Sequence, residues 1–289
     1  MKLKTNNITK GIVFAGCSFT WGQGLYYYSN MPTLKESLPN RYDGSLVTDA
    51  HNMFRKTLYY PRLVANHFNT FEISMIQNGG SDETSFKYLK NVFGLINPSI
   101  DYVKEKYYFD EIEYIIFQTS EPQRNVYRYN YTNTDGSIDE YEYGTFAEKF
   151  NNNKFIKYLI EQKKCTMDEW FDEHCKNWFQ QIKQNLEFYE SKNIKTFVLN
   201  WQTDYNKYFI TDEWMQNRLI KFNYNNIEYN TIRDMMDKNK NLCINFDYKN
   251  FEIPPKDLHP SKECHRVIAS AVIKKIEETK YLNETLSIK

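Results

Sequence analysis

Two short stretches at opposite ends of the 289-residue chain carry residue types that together could do acyl-transfer chemistry. The first, GIVFAGCSFTWGQG at residues 11–24, is a short apolar run that breaks off into Ser18 among small neighbours. A serine one step past the carboxyl end of a strand stands at the edge where open α/β sheets place their sites, and its own backbone N–H can point at a bound carbonyl oxygen. The second, KDLHPSKECHRVIAS at residues 256–270, sets His259 two residues after Asp257 and just before a helical pattern. An acid so close could accept a hydrogen bond from one imidazole nitrogen, fix the tautomer, and leave the other nitrogen free to take the serine proton. A helix N-terminus beside the ring would keep it neutral and able to act as a base.

Other chemistries fit these stretches less well. A dinucleotide loop needs G-x-G-x-x-G after the first strand, but the spacing here is Gly16, Gly22, Gly24, and no Gly-Lys-Ser/Thr follows. The basic start leading to Ala15-Gly16-Cys17 imitates a lipoprotein signal, yet the apolar stretch Ile12 to Ala15 falls short of the roughly 7 to 15 residues of a signal h-region, so no leader is expected. Cys17 reads as a small buried filler beside the serine. The five cysteines, at 17, 165, 175, 243 and 264, have no metal-ligand spacing and an odd count, so a reducing, cytoplasmic setting with no metal and no cofactor is expected. His51, His67, His174 and His265 are expected to be solvated. Arg124 could clamp an acidic group on a substrate or pair with Glu121.

These residues need a scaffold that brings the two ends together. Short β-branched and aromatic runs alternate with helix-like segments, the pattern of a parallel sheet with crossover helices. Strands are expected at Gly11 to Ala15, Phe71 to Ile76, Tyr114 to Phe117, Thr196 to Asn200 and Leu242 to Phe246, making a three-layer α/β domain with a five-stranded parallel sheet. Helices are expected over 55–68, 83–95, 167–192, 212–223 and 263–281. In the last, Val267, Ile268, Ala271, Val272 and Ile276 form one apolar stripe, and Ser261 after Pro260 is a plausible N-cap. The stretch 121–165 is a Tyr-rich insertion in which Asp135-Gly136 predicts the turn of a hairpin. Its tyrosines could stack sugar rings or pack against the protein itself. No linker divides residues 1–289, so one domain with this insertion is expected. Acids and bases balance at 37 each, so no overall field draws the chain to nucleic acid or to an anionic membrane, and no run approaches a membrane span.

Taken together, the stretches resemble the SGNH (GDSL-like) hydrolase superfamily. Gly16-Cys17-Ser18-Phe19-Thr20 stands where that family has its first block. Gln77-Asn78-Gly79-Gly80-Ser81-Asp82 stands after strand two, and Asp257-Leu258-His259-Pro260-Ser261 before the last helix. The resemblance implies a flavodoxin-like sandwich and a serine esterase or deacetylase acting on a small-molecule or carbohydrate ester through a seryl-acyl intermediate. It implies Ser18 as nucleophile, His259 as base and Asp257 as the orienting acid, with Asp247 as a fallback. It also implies an oxyanion hole of the Ser18 N–H, a backbone N–H from Gly80 or Asp82, and a side chain from the third block. Here that block is Phe117-Gln118-Thr119-Ser120-Glu121, which departs from Gly-x-Asn-Asp, so that Gln118 is chemically preferred while counting along the strand points to Ser120. The departure leaves a second expectation, a catalytically inactive binding or structural protein on the same fold. The form of the first block is similar to that in bacteriophage-encoded members, which would place the protein in host cytoplasm.

Overall fold

The computed structural model of the chain describes residues 10–17, 20, 22, 25–28, 49–76, 81–96, 106–124, 127–143, 152–244 and 259–287. Strand β1 (Gly11–Gly16) is buried along its whole length. Helices α1 (Asp49–Leu58) and α2 (Tyr60–His67) occupy the stretch expected as one helix over 55–68. The break falls where Pro61 has no N–H for the Thr57 carbonyl and its ring would collide with it, so Tyr59 turns extended at φ −79°, ψ 147°. Strand β2 (Glu72–Ile76), helix α3 (Asp82–Val92) and strand β3 (Ile112–Gln118) follow. The insertion supplies β4 (Tyr127–Thr132), β5 (Ile138–Tyr143) and α4 (Asn152–Tyr158), after which α5 (Met167–Glu190) leads into β6 (Lys195–Leu199). The chain ends with β7 (Phe222–Tyr224), β8 (Ile227–Tyr229), α6 (Ile232–Lys238) and α7 (Lys262–Ser287).

Four strands form one parallel sheet in the order β2-β1-β3-β6. Alternate residues of each strand point to opposite faces, and both faces are covered. Ile12, Phe14, Tyr114 and Ile116 pack with Tyr60 and Val64 of α2 and with Ile268, Val272 and Ile276 of α7. Val13, Ala15, Ile115 and Phe117 pack on the other face with Phe86 and Leu89 of α3 and with Phe179, Ile182 and Leu186 of α5. Each such aliphatic or aromatic side chain contributes about 1.5–3 kcal/mol when fully buried. The three-layer α/β arrangement and the α7 stripe agree with the sequence.

The expected fifth strand does not join this sheet among the described residues. Leu242 lies in a 3₁₀ turn (Lys240–Leu242), and Cys243 makes an antiparallel bridge to Pro260. Leu242, Cys243 and Ile244 are all buried, the first two in the core that α7 covers, which their composition alone cannot tell from a sheet strand. The place beside β6 is taken by Leu219, in a single parallel bridge to Val198. The helix expected over 212–223 shrinks accordingly to one turn at Glu213–Gln216, and the chain then runs through that bridge into the β7–β8 hairpin. Asn225 and Asn226 turn the hairpin at φ 51° and 62°, the left-handed region that Asn tolerates better than most residues.

The hairpin expected around Asp135-Gly136 is present as β4 and β5, with Gly136 at φ 83° and the Asp135 carboxylate accepting from the Ser137 N–H at 2.9 Å. Of the two readings of its tyrosines, packing prevails for the buried ones. Tyr129 and Tyr143 close a small aromatic core on Phe155 and Tyr158 of the α4 region, with Trp170 of α5 against them.

Candidate active site

The carboxyl ends of β1 and β3 lie side by side, and the first block folds onto the end of β3. The Thr20 hydroxyl donates to Gln118 Oε1 at 2.8 Å, and Gln118 Nε2 donates to Cys17 Sγ at 3.5 Å. A Cβ at Gly16 would fall 2.2 Å from Thr20 Oγ1 and 3.0 Å from Gln118 Cβ, so this close approach requires glycine. Tyr60 reaches the same point from α2, its hydroxyl donating to Thr20 Oγ1 at 3.4 Å. Cys17 is buried, as its filler role requires. Ser18 itself, Gly80 with the preceding Gln77-Asn78-Gly79, and both Asp257 and Asp247 lie outside the described residues.

The histidine end is held by the segment that was expected to be strand five. Ser261 donates its N–H to the Leu242 carbonyl at 2.7 Å, and Ile244 donates to the His259 carbonyl at 3.0 Å, which fixes the backbone on both sides of the Cys243–Pro260 bridge. Ser261 Oγ caps α7 by accepting from the Cys264 N–H at 3.2 Å. His259, half-buried, therefore sits immediately before the positive end of that helix.

Contacts from α7 run to Tyr28 and, through Tyr60, to the first block. The Lys262 N–H donates to the Tyr28 hydroxyl at 3.4 Å. The Tyr60 N–H donates to Nδ1 of His265 at 3.2 Å, and the two rings stack with centroids 5.9 Å apart. Tyr60 thus touches Thr20 with its hydroxyl and His265 with its backbone and ring. His265 was expected to be solvated and is instead fully buried, on the inward side of the first turn of α7. Burial, and after it the charges of Arg55 and His259, push its pKa down to about 3, so it is neutral; because Nδ1 accepts, the proton is on Nε2. His174 is not solvated either: it stacks on Trp170 at 4.9 Å, and Nε2 lies 3.3 Å from the Pro122 carbonyl oxygen.

The loop after β3 is anchored by a carboxylate that sequence reasoning treated only as a possible backbone donor. Asp82, at the first position of α3 behind the Ser81 cap, turns inward and is 2% exposed. Its Oδ1 accepts from the Ser120 N–H at 2.8 Å and its Oδ2 from Trp178 Nε1–H at 2.7 Å. Burial raises its pKa to about 6 against the opposing effect of these donors and of Arg124. An Asp after a helix cap ordinarily reads as a dipole-compensating residue, so the sequence offered no local signal for this role. Gln118 is wholly buried, with its oxygen taken by Thr20 and its amide aimed at Cys17. The Ser120 hydroxyl is also buried; it lies near enough to Asp82 to ease its charge but has no partner at hydrogen-bonding geometry. Arg124 Nε stands 3.7 Å from Glu121 Oε2, the pairing given as one of its two readings.

Among the described residues no cluster of three or more His, Cys, Asp or Glu could hold a metal ion, and no helix is long and apolar enough to cross a membrane. No family model matches the chain, and no curated protein matches it in sequence. Among the solved structures that resemble it are the following three. One is a carbohydrate esterase whose active site displays divergent catalytic and non-catalytic binding functions, with 13% identity, 93% of this chain and 65% of that one covered, and a TM-score of 0.41. Another is the acetyl xylan esterase Est2A from the rumen bacterium Butyrivibrio proteoclasticus, with 13% identity, 99% and 66% covered, and a TM-score of 0.40. The third is a lipolytic protein of the G-D-S-L family from Desulfitobacterium hafniense DCB-2, with 11% identity, 92% and 99% covered, and a TM-score of 0.37. The chain spans just under two thirds of the length of the two esterases.

Proposed function

We propose that the chain is a serine hydrolase of SGNH type, an esterase or deacetylase that removes an acyl group from a small or carbohydrate-linked alcohol. Ser18 Oγ attacks the ester carbonyl while His259 takes its proton; the imidazolium then returns that proton to the departing alcohol. Water, activated by the same imidazole, releases the acid from the seryl ester. Asp257 orients the ring. The Ser18 and Gly80 N–H groups hold the oxyanion together with one side-chain donor. Gln118 and Ser120 are the two candidates for that donor, and we assign it to Ser120, because its hydroxyl, beside Asp82, makes no bond of the geometry that holds both ends of the Gln118 amide.

The supporting observation is that Thr20, two residues past Ser18, and His265, six past His259, close on the same residue, Tyr60, the first through its hydroxyl and the second through its backbone N–H. An active-site-directed fluorophosphonate tests the reading: stoichiometric labelling that Ser18→Ala abolishes is expected, together with loss of hydrolysis of a model acetyl ester. The locked Gln118 amide motivates a second reading, an inactive binding protein on this fold. In that case the parent protein neither labels nor hydrolyses.

A further inference from the structure

We propose, resting on the serine-hydrolase reading, that Thr20 is a positioning residue that sets the nucleophile through a directed chain of buried hydrogen bonds. The chain runs from the Tyr60 O–H to Thr20 Oγ1 at 3.4 Å, from the Thr20 O–H to Gln118 Oε1 at 2.8 Å, and from the Gln118 amide to Cys17 Sγ at 3.5 Å. Every group in it is at most 1% exposed. Direction matters here. Because the Thr20 hydroxyl donates to Gln118, the amide oxygen is held toward Thr20 and the amide nitrogen toward Cys17, the residue whose peptide carries the Ser18 N–H.

Thr20 alone in this chain both accepts and donates through one atom, which no apolar isostere can do. Its place is also fixed sterically, since Gly16 is bare where Thr20 Oγ1 approaches. The far end of the chain is tied to the base: Tyr60 donates its N–H to His265, six residues beyond His259 on the helix that His259 precedes. One run of contacts therefore spans the backbone beside the nucleophile and the helix behind the imidazole. Its groups are buried and so offer no surface to a ligand, and its loss is expected to misplace the reacting groups without removing a binding contact.

The experiment compares the full chain with Thr20→Val and Thr20→Ser, reading the fluorophosphonate labelling rate and the kcat and KM for p-nitrophenyl acetate. In Thr20→Val the labelling rate and kcat fall about ten- to hundredfold with KM within about twofold, the scale expected of a small misplacement of reacting groups. Thr20→Ser, which keeps the hydroxyl, returns to within about threefold of the parent. Tyr60→Phe removes one donor while keeping the ring and the backbone bond, and gives a smaller fall of the same kind; it carries the test should Thr20→Val fail to fold. Labelling of Thr20→Val or Tyr60→Phe at the parental rate overturns the positioning role, as does a Thr20→Ser as impaired as Thr20→Val. A parent protein that neither labels nor hydrolyses overturns the hydrolase reading, and this role with it.

Discussion

Replacing Asp82 by Asn should make stability fall with acid over a range in which two buried groups of the parent offset one another. Burial raises the Asp82 carboxyl from 3.8 to about 6. The folded protein therefore keeps this proton between about pH 4 and 6, where the unfolded chain has released it. That contribution is fully present below 3.8 and is lost as pH rises through about 6; two units at about 1.4 kcal/mol each make about 3 kcal/mol. His265 works in the opposite sense. Its folded pKa of about 3 lies below its ordinary 6.5, so the stability it contributes is present above 6.5 and is lost as pH falls toward 3. Between pH 4 and 6 each group shifts the proton balance by about one, with opposite sign, so their slopes cancel. Asp82→Asn deletes one slope and leaves the other. Relative to the parent, its unfolding free energy should drop by about 3 kcal/mol between pH 6 and 4. Denaturant titrations at pH 4, 5, 6 and 7 measure this, and the difference between the two proteins removes the carboxylates that titrate in both. His265→Asn, whose amide oxygen can still accept from the Tyr60 N–H, should show the reverse difference. Parallel profiles for parent and Asp82→Asn would refute the reasoning, because a carboxyl held at about 6 by desolvation cannot be replaced by an amide without changing the slope.

Further tests address the site and the frame separately. Ser120→Ala, which keeps the backbone N–H bonded to Asp82, should lower kcat by about 10²–10³ with little change in KM, measured on the acetyl ester. Trp178→Phe withdraws the donor to Asp82 Oδ2 and should cost about 1–3 kcal/mol at pH 7 by denaturant unfolding, with a smaller loss below pH 4, where the carboxyl is protonated. Phe155→Ala empties the centre of the insertion core, at about 3–5 kcal/mol locally. Hydrogen exchange should then quicken in β4 and β5 while the amides of β1 and β3 stay protected. Asn226→Gly relieves a left-handed residue in the β7–β8 turn and should raise stability by about 0.5–1 kcal/mol, read from the thermal midpoint.

What could be read in the sequence, and what could not, divides by the range of the interactions involved. Strands β1 and β3 were legible because a parallel strand covered on both faces must be apolar at nearly every position. The Asp135-Gly136 turn and the Ser261 cap were legible because each is satisfied within a few residues. The 212–223 stretch misled because Met215, Leu219 and Phe222 recur at nearly helical spacing, yet each is buried in a different setting: a helical turn, a bridge beside β6 and a hairpin. The site shows the same division more sharply. Ser18, His259 and Asp257 were singled out by residue type and by their places beside the expected first strand and last helix, and their roles are those proposed above. The buried groups at the ends of β1 and β3 and along α7 could not be read there, because Thr20 meets Gln118 across 98 positions, Ser120 meets Asp82 across 38 and Tyr60 meets His265 across 205. A buried polar side chain is tolerated only with a partner, and nothing local specifies a partner so far along the chain. Buried Thr, Gln, Asp and His around a sheet edge are costly unless the whole set assembles at once, which makes this edge the most exacting part of the core and its hydrogen-bond geometry the first thing that substitution there should disturb.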